Sequence, residues 1–303
     1  MQVKIENTYA DEVKIKYDVN MFHEQFLKLI KKKQRLEKED FKLNRDLDMA
    51  KRVHEGLLDI DIPECQGLKI AKHSQPADKI GGDFYNFFTK NPETMKQKEA
   101  QTGIIEYISH NHPSLSILIG DVAGHGIASA LVMALTCGIV TKNNLTQNNV
   151  ADVLMKTNND LYQHIANTDI PYVTGLLAKI ELNSKKMYFV NAGHCPMIHQ
   201  KGDQIRFLEG GGLFMGMYEN ETYQIHSVNL SIGDRLIFYT DGIHESKGLD
   251  NQRFGLNRFE EALIEQKDET AQKALDNILE HINNFEGPFK NLDDRTLIIV
   301  DIV

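Results

Sequence analysis

The sequence predicts an α+β fold in which antiparallel sheets carry helices on their outer sides. Three observations predict it. After residue 66 come eight short runs rich in β-branched and aromatic residues, and most follow one another with no helix between them. The segment LNSKKM, residues 182–187, suits a tight turn joining two of these runs. The helix-patterned runs do not alternate regularly with strands, which argues against a doubly wound parallel sheet.

Taken in order, residues 1–20 form an N-terminal extension and residues 21–58 a long helix. Residues 21–55 hold no Gly or Pro and are dense in Lys, Glu, Leu, Arg and Asp. Phe22, Leu29, Leu36, Leu43, Ala50 and Leu57 recur every seven residues as one seam of a heptad pattern. Phe26 and Leu47 fit a second seam, which Lys33, Asp40 and His54 interrupt. Two readings stay open. The helix lies along its own domain, or it is a linker that pairs two chains as a coiled coil, weakly and switchably because of its polar seam positions.

Residues 60–303 form the main domain. Its strands are expected at 68–74, 83–88, 115–121, 172–182, 185–191, 204–209, 235–241 and 296–302. Helices are expected at about 125–142, 149–166, 256–266 and 269–284. The longest apolar run, residues 127–140, has 14 residues. That is too short to span a bilayer and reads as a buried helix. Residues 89–114 are polar and broken, and read as a surface insertion.

Composition narrows the function. Lys and Arg number 34 against 43 Asp and Glu, a net charge of −9. Nucleic acid or an anionic membrane would call for a basic face, so neither is an expected partner. The three cysteines, Cys65, Cys137 and Cys195, are odd in number and far apart, which points to a reducing compartment. With no basic-then-apolar start, the chain is read as cytoplasmic.

Aspartates gather at predicted strand ends. Asp83 opens a strand in IGGDFYNFF, Asp121 ends one in ILIGDVAGHG, and Asp241 ends another in RLIFYTDGIHES. Asp293 and Asp294 precede the last strand in NLDDRTLIIV. Glycine beside the first three lets backbone or ligand approach closely. Clustered carboxylates suit hard divalent cations such as Mg²⁺ or Mn²⁺.

The words IGGDFYNFF, GDVAGHGIASAL, VNAGHCPMI, GDRLIFYTDGIHES and DDRTLIIV occur in this order within residues 80–300, and the resemblance they carry covers about residues 48–303. In that order and spacing the chain resembles the bacterial metal-dependent serine/threonine phosphatases of the SpoIIE-like branch, relatives of the type 2C protein phosphatases. The resemblance implies a four-layer α-β-β-α sandwich with two divalent cations, Mn²⁺ or Mg²⁺, at one end. It implies that Asp121 bridges both cations, with the Val122 carbonyl and Asp83 completing one site. Asp241 and Asp293 would hold the other, with Asp294 beside them. Asp121 and Asp241 would then be catalytic through a metal-activated water.

The resemblance also implies a substrate, phosphoserine or phosphothreonine on a regulatory protein of the anti-sigma-factor-antagonist type. It implies an upstream activator or sensor acting on the N-terminal helix, and residues 21–58 would form a homodimer. This sequence departs from the family pattern at Asn86 and Ala123, neither of them an implied ligand. Where type 2C enzymes carry an aspartate associated with a third metal, it has His194. His125 lies two residues beyond the general-acid histidine of those enzymes and is not given that role.

Other readings are weaker. His110 and His112 have a spacing that zinc allows, but no Cys or further His lies nearby. Cys195 reads as a small turn residue and not a nucleophile. The stretch FLEGGGLFMGM does not read as a phosphate loop, and the resemblance implies a flexible loop bordering the site. The competing class is a phosphatase-fold scaffold without activity. A degenerate scaffold is expected to have lost a metal aspartate, and none is lost.

Overall fold

This computed structural model describes residues 2–90, 113–147, 149–168, 170, 172–287 and 293–303, with backbone alone for 2–20. Two compact units divide the chain, Met1–Arg52 and Val53–Val303. Helix α1 (Gln2–Leu58) runs unbroken through both the predicted extension and the heptad segment. Its Arg35–Glu39 and Lys33–Glu37 pairs, at 2.8 and 3.7 Å, are exposed one-turn ion pairs, which water screens strongly. Phe22, Leu29, Leu36 and Leu43 on the heptad seam are all exposed.

The second unit continues β1 (Leu68–Gln75), β2 (Phe84–Lys90), β3 (Ser114–Val122), α2 (Ile127–Thr146), α3 (Val150–Ile165), β4 (Val173–Glu181) and β5 (Lys186–Ala192). Next come β6 (Met197–Lys201), β7 (Gln204–Leu208), β8 (His226–Asn229), β9 (Asp234–Tyr239) and α4 (Asp241–His244). The chain closes with α5 (Gly255–Glu265), α6 (Ala271–Glu286) and β10 (Arg295–Ile302). One sheet has the order β1-β10-β9-β6-β7 and the other β2-β3-β4-β5-β8. All the pairings are antiparallel.

Burial explains the near-continuous apolar strands. On β10, Ile298, Val300 and Ile302 face the other sheet, while Leu297 and Ile299 face α5 and α6. On β9, Leu236 and Phe238 point inward, and Ile237 and Tyr239 outward. A strand covered on both faces loses the polar alternation of a half-solvated one. Helix α6 buries Ala271, Ala274, Leu275, Ile278 and Ile282, one stripe at helical spacing. Helices α2 and α3 cover the second sheet, with Asn149 capping α3 through the Asp152 amide at 2.9 Å. The layers are therefore helix, sheet, sheet, helix, the sandwich that the sequence predicts.

The LNSKKM turn stands where expected, with Glu181 opposite Lys186 across β4 and β5. Two strands escaped prediction. In β6 the polar His199 and Gln200 are buried, with His199 Nε2 2.8 Å from Asp234 and Gln200 Nε2 donating to the Leu263 carbonyl at 3.0 Å. Strand β8 has only four residues.

Two expectations need correction. The apolar run of α2 is not buried all round: Met133 and Val140 are, but Ile127 and Leu131 are 50% and 68% exposed. Asp241 does not end a strand, because β9 stops at Tyr239 and Asp241 opens α4. Of the expected insertion, Thr89, Lys90 and Ser114 belong to strands, and residues 91–112 lie outside the described residues. Among the described residues no helix is long and apolar enough to cross a membrane.

Candidate metal centre

The five aspartates come from both sheets. Asp83 immediately precedes β2, and Asp121 is the last residue but one of β3. Asp241 starts α4, and Asp293 and Asp294 lead into β10. Asp121 is the hub. Its carboxyl is pushed up to about 8 by burial first, then by repulsion from Asp241, Asp293 and Asp294. Burial, then Asp121 and Asp294, hold Asp83 well above the ordinary carboxylate range, against the pull of Thr240 and Thr296. Asp293 rises to about 6, through burial and then Asp241. Asp241 is raised by burial and then by Glu245, while His244 and nearby backbone amides oppose the rise.

Glycines let these carboxylates approach the backbone. A Cβ on Gly82 would stand 2.9 Å from the Val122 carbonyl oxygen and 3.1 Å from Asp121 Oδ1, so both oxygens face the same glycine. A Cβ on Gly242 would meet the Asp294 carbonyl oxygen at 2.0 Å. The Gly-Gly-Asp and Asp-Gly words are thus packing requirements of the carboxylate cluster.

Among the described residues, no three His, Cys, Asp or Glu side chains converge on one point as metal ligands would. The carboxylates are close enough to perturb one another, yet each is turned to a separate donor. Asp294 Oδ1 accepts the Ala77 amide at 2.8 Å, and its Oδ2 the amides of Gly82 and Asp83 at 2.6 and 3.3 Å. Asp83 Oδ2 accepts the hydroxyls of Thr240 and Thr296. Asp293 Oδ1 accepts the Asp294 amide at 2.9 Å. The donor chemistry fits hard cations: all-oxygen ligands, mutually repelling, and with no Lys or Arg ion pair at Asp83, Asp121, Asp241 or Asp294 among the described residues.

Other predicted residues sort cleanly. His125 is exposed in the turn before α2. His110 and His112 lie outside the described residues. His194 is buried, its Nδ1 3.0 Å from Thr174 Oγ1, and burial lowers it to about 4, so it is neutral at physiological pH. The same Thr174 hydroxyl accepts the Asp121 amide at 3.1 Å and so steadies the strand end. Cys195 lies near the cluster, and burial, then Asp241, Asp83 and Asp121, push its thiol up to about 12. A thiol so raised is no nucleophile at neutral pH.

The stretch 207–217 ends β7 and continues as a loop that bonds to neighbouring elements. The Gly212 amide donates to the Asn191 carbonyl at 3.1 Å, and the Gly216 amide to Asn158 Oδ1 at 2.9 Å. Met215 exchanges backbone bonds with Val173. Its glycines allow close packing: a Cβ on Gly212 would strike the Asn191 carbonyl oxygen at 2.4 Å.

Sequence reading missed Thr174, Thr240, Thr296 and the Arg295–Glu286 pair. Thr240 and Thr296 do stand inside two of the family-like words, in TDG and DDRT, so a signal existed.

Comparison with known proteins agrees with this fold. The profile of stage II sporulation protein E (SpoIIE) matches residues 111–303. The phosphoserine phosphatase RsbU of Bacillus subtilis (strain 168) is 25% identical over 260 residues, covering 85% of this chain and 70% of RsbU. The chain spans only 60% and 41% of the length of two further curated relatives. Among solved structures, the SiaA-PP2C domain of Pseudomonas aeruginosa has a TM-score of 0.71 at 18% identity, over 88% of this chain and 99% of that one. RsbX, solved in complex with magnesium, has a TM-score of 0.54 at 14% identity, over 80% of this chain and 100% of its own. At such identities the structural likeness speaks for the fold alone. The chain belongs to the stage II sporulation protein E (SpoIIE) family, and its sandwich is the fold of the PP2C phosphatase domains.

Proposed function

We propose that this chain is a metal-dependent protein phosphatase acting in the bacterial cytoplasm. Its substrate is phosphoserine or phosphothreonine on a regulatory protein, an anti-sigma-factor antagonist in partner switching. The observation that carries the reading is the position of Asp121, which feels the charge of Asp241, Asp293 and Asp294 and in turn raises Asp83. A carboxylate central to four others suits a bridge between two cations. The name of RsbU, a phosphoserine phosphatase, supports the substrate class. RsbX with magnesium supports the choice of a hard divalent ion.

In this reading Asp121, Asp83, the Val122 carbonyl, Asp241 and Asp293 would hold two Mn²⁺ or Mg²⁺ ions, with Asp121 the ligand that would be shared. Asp294 organises the 77–83 loop through the amides of Ala77, Gly82 and Asp83, and joins the ligands only if it leaves them. When bound, the cations activate a water and neutralise the phosphoryl oxygens. The chain contributes no covalent nucleophile. Residues 21–58 act as the receiving element for an upstream activator and as a homodimer contact. Their exposed Phe22, Leu29, Leu36 and Leu43 support that role.

The test is Mn²⁺-dependent hydrolysis of p-nitrophenyl phosphate by the full chain, then of candidate phosphoproteins. Asp121→Asn and Asp241→Asn should each abolish it. A wild-type chain inert with Mn²⁺ and Mg²⁺, or full activity in both variants, would sink the reading.

A further inference from the structure

Asp83 is held from across the sandwich by two threonines. Asp83 adjoins β2 in one sheet, whereas Thr240 follows β9 and Thr296 lies in β10, both in the other. Both threonines are 0% exposed. Both hydroxyls reach the same oxygen, Asp83 Oδ2, at 2.7 Å from Thr240 and 2.8 Å from Thr296.

The hydrogen bonds around them fix the direction of the protons. Thr240 Oγ1 already accepts the Thr296 amide at 2.9 Å. A hydroxyl has one proton to give, so that of Thr240 goes to Asp83. The Thr240 amide in turn donates to the Thr296 carbonyl at 3.1 Å, which locks the pair together. Ser74 Oγ lies 3.2 Å from Thr296 Oγ1. With the Thr296 proton directed at Asp83, Ser74 donates into the chain. Two donors aimed at Oδ2 leave Oδ1 as the oxygen of Asp83 that can serve a ligand.

We propose that Thr240 and Thr296 are positioning residues of the phosphatase centre. Their hydroxyls seize Asp83 by Oδ2, fix its rotamer, and present Oδ1 alone to the cation or to a water on it. The proposal rests on Asp83 belonging to the metal centre. Partners of this outer kind typically govern metal affinity by about 10–100-fold. Valine has the shape of threonine without the hydroxyl, so it removes the donor and keeps the packing volume.

The experiment uses the full chain as wild type, Thr240→Val, Thr296→Val, Thr240→Ser and Thr296→Ser. Mn²⁺ binding is measured by calorimetry, and p-nitrophenyl phosphate hydrolysis is titrated with Mn²⁺. Each Val variant should bind Mn²⁺ about 10–100-fold more weakly. The Mn²⁺ concentration for half-maximal rate should rise in step, with KM for the ester little changed. The Ser variants, which keep the hydroxyl, should bind like the wild type. Folded Val variants with wild-type Mn²⁺ affinity would overturn the proposal. If the Val chains do not fold, the Ser chains decide, and a Ser chain that loses Mn²⁺ affinity overturns it. A wild type that neither binds Mn²⁺ nor hydrolyses the ester overturns the phosphatase reading itself, which is a distinguishable result.

Discussion

The carboxylate of Asp294 occupies the space that a side chain on Gly81 would fill. A Cβ there would stand 2.1 Å from Asp294 Oδ2 and 2.4 Å from its Cγ. The buried His54 flanks the same glycine, with Nε2 3.2 Å from its amide nitrogen. Gly81→Ala therefore cannot be absorbed by a small shift. Asp294 must leave the amides of Gly82 and Asp83, or the loop must move. The variant should lose roughly 1–3 kcal/mol of stability, as overpacked sites do, and much of its Mn²⁺-dependent hydrolysis. Urea denaturation and an ester assay check both, and wild-type values in both would refute the packing argument.

Asp121 predicts an opposition between stability and activity. Its carboxyl rises from 3.8 to about 8 in the folded chain, through burial first and then its aspartate neighbours. A raised carboxyl favours the fold while it is protonated, and that contribution is lost as pH climbs from the unfolded value toward the folded one. The window is therefore about pH 4 to 8. In EDTA, the melting temperature of the wild type should fall between about pH 5 and 8. Asp121→Asn should flatten that slope and melt higher at pH 8, because the amide carries no charge to bury. It should also be inactive. Thermal melts at the two pH values test this, and a variant that melts lower than wild type at pH 8 would contradict it.

The heptad seam predicts the oligomeric state. Phe22 and Leu29 are 70% and 64% exposed, and Leu36 and Leu43 are 48% and 56%. Large apolar residues repeated on one face of a helix favour pairing with a second helix. The full chain should sediment as a dimer at micromolar concentration, and Leu29→Asp with Leu36→Asp should make it a monomer. A wild type that stays monomeric across the concentration range would remove the dimer from the proposal.

Much of this fold was legible because its strands are buried on both faces. Runs such as TLIIVDI in β10 announce themselves whatever packs against them. Strand β6 was not legible, because His199 and Gln200 owe their burial to Asp234 and Leu263, far along the chain. The aspartates of the site were legible from the glycine words around them. Which donors they meet was not. Thr240 and Asp83 are 157 residues apart and touch only once the two sheets stack. The position of Asp241 was legible only to within two residues, since nothing local tells a strand end from the first turn of α4.

Arg295 supports the same turn from behind. It is 2% exposed, pairs with Glu286, and donates from Nη2 to Ser246 Oγ at 2.8 Å. Its Nε donates to the Gly242 carbonyl at 3.3 Å, and Ser246 Oγ reaches the same carbonyl at 2.7 Å. The end of α6 is thereby tied to the turn that carries Asp241. Burial lowers the guanidinium to about 10, still charged at neutral pH. Removing one partner of a buried pair leaves an uncompensated charge, which costs roughly 3–5 kcal/mol. Glu286→Leu and Arg295→Met should each lose that much in urea denaturation. The double variant should lose less than the two losses added, because it buries no lone charge. Strict additivity would show that the two side chains act independently, and the tie from the end of α6 to the Asp241 turn would then be refuted.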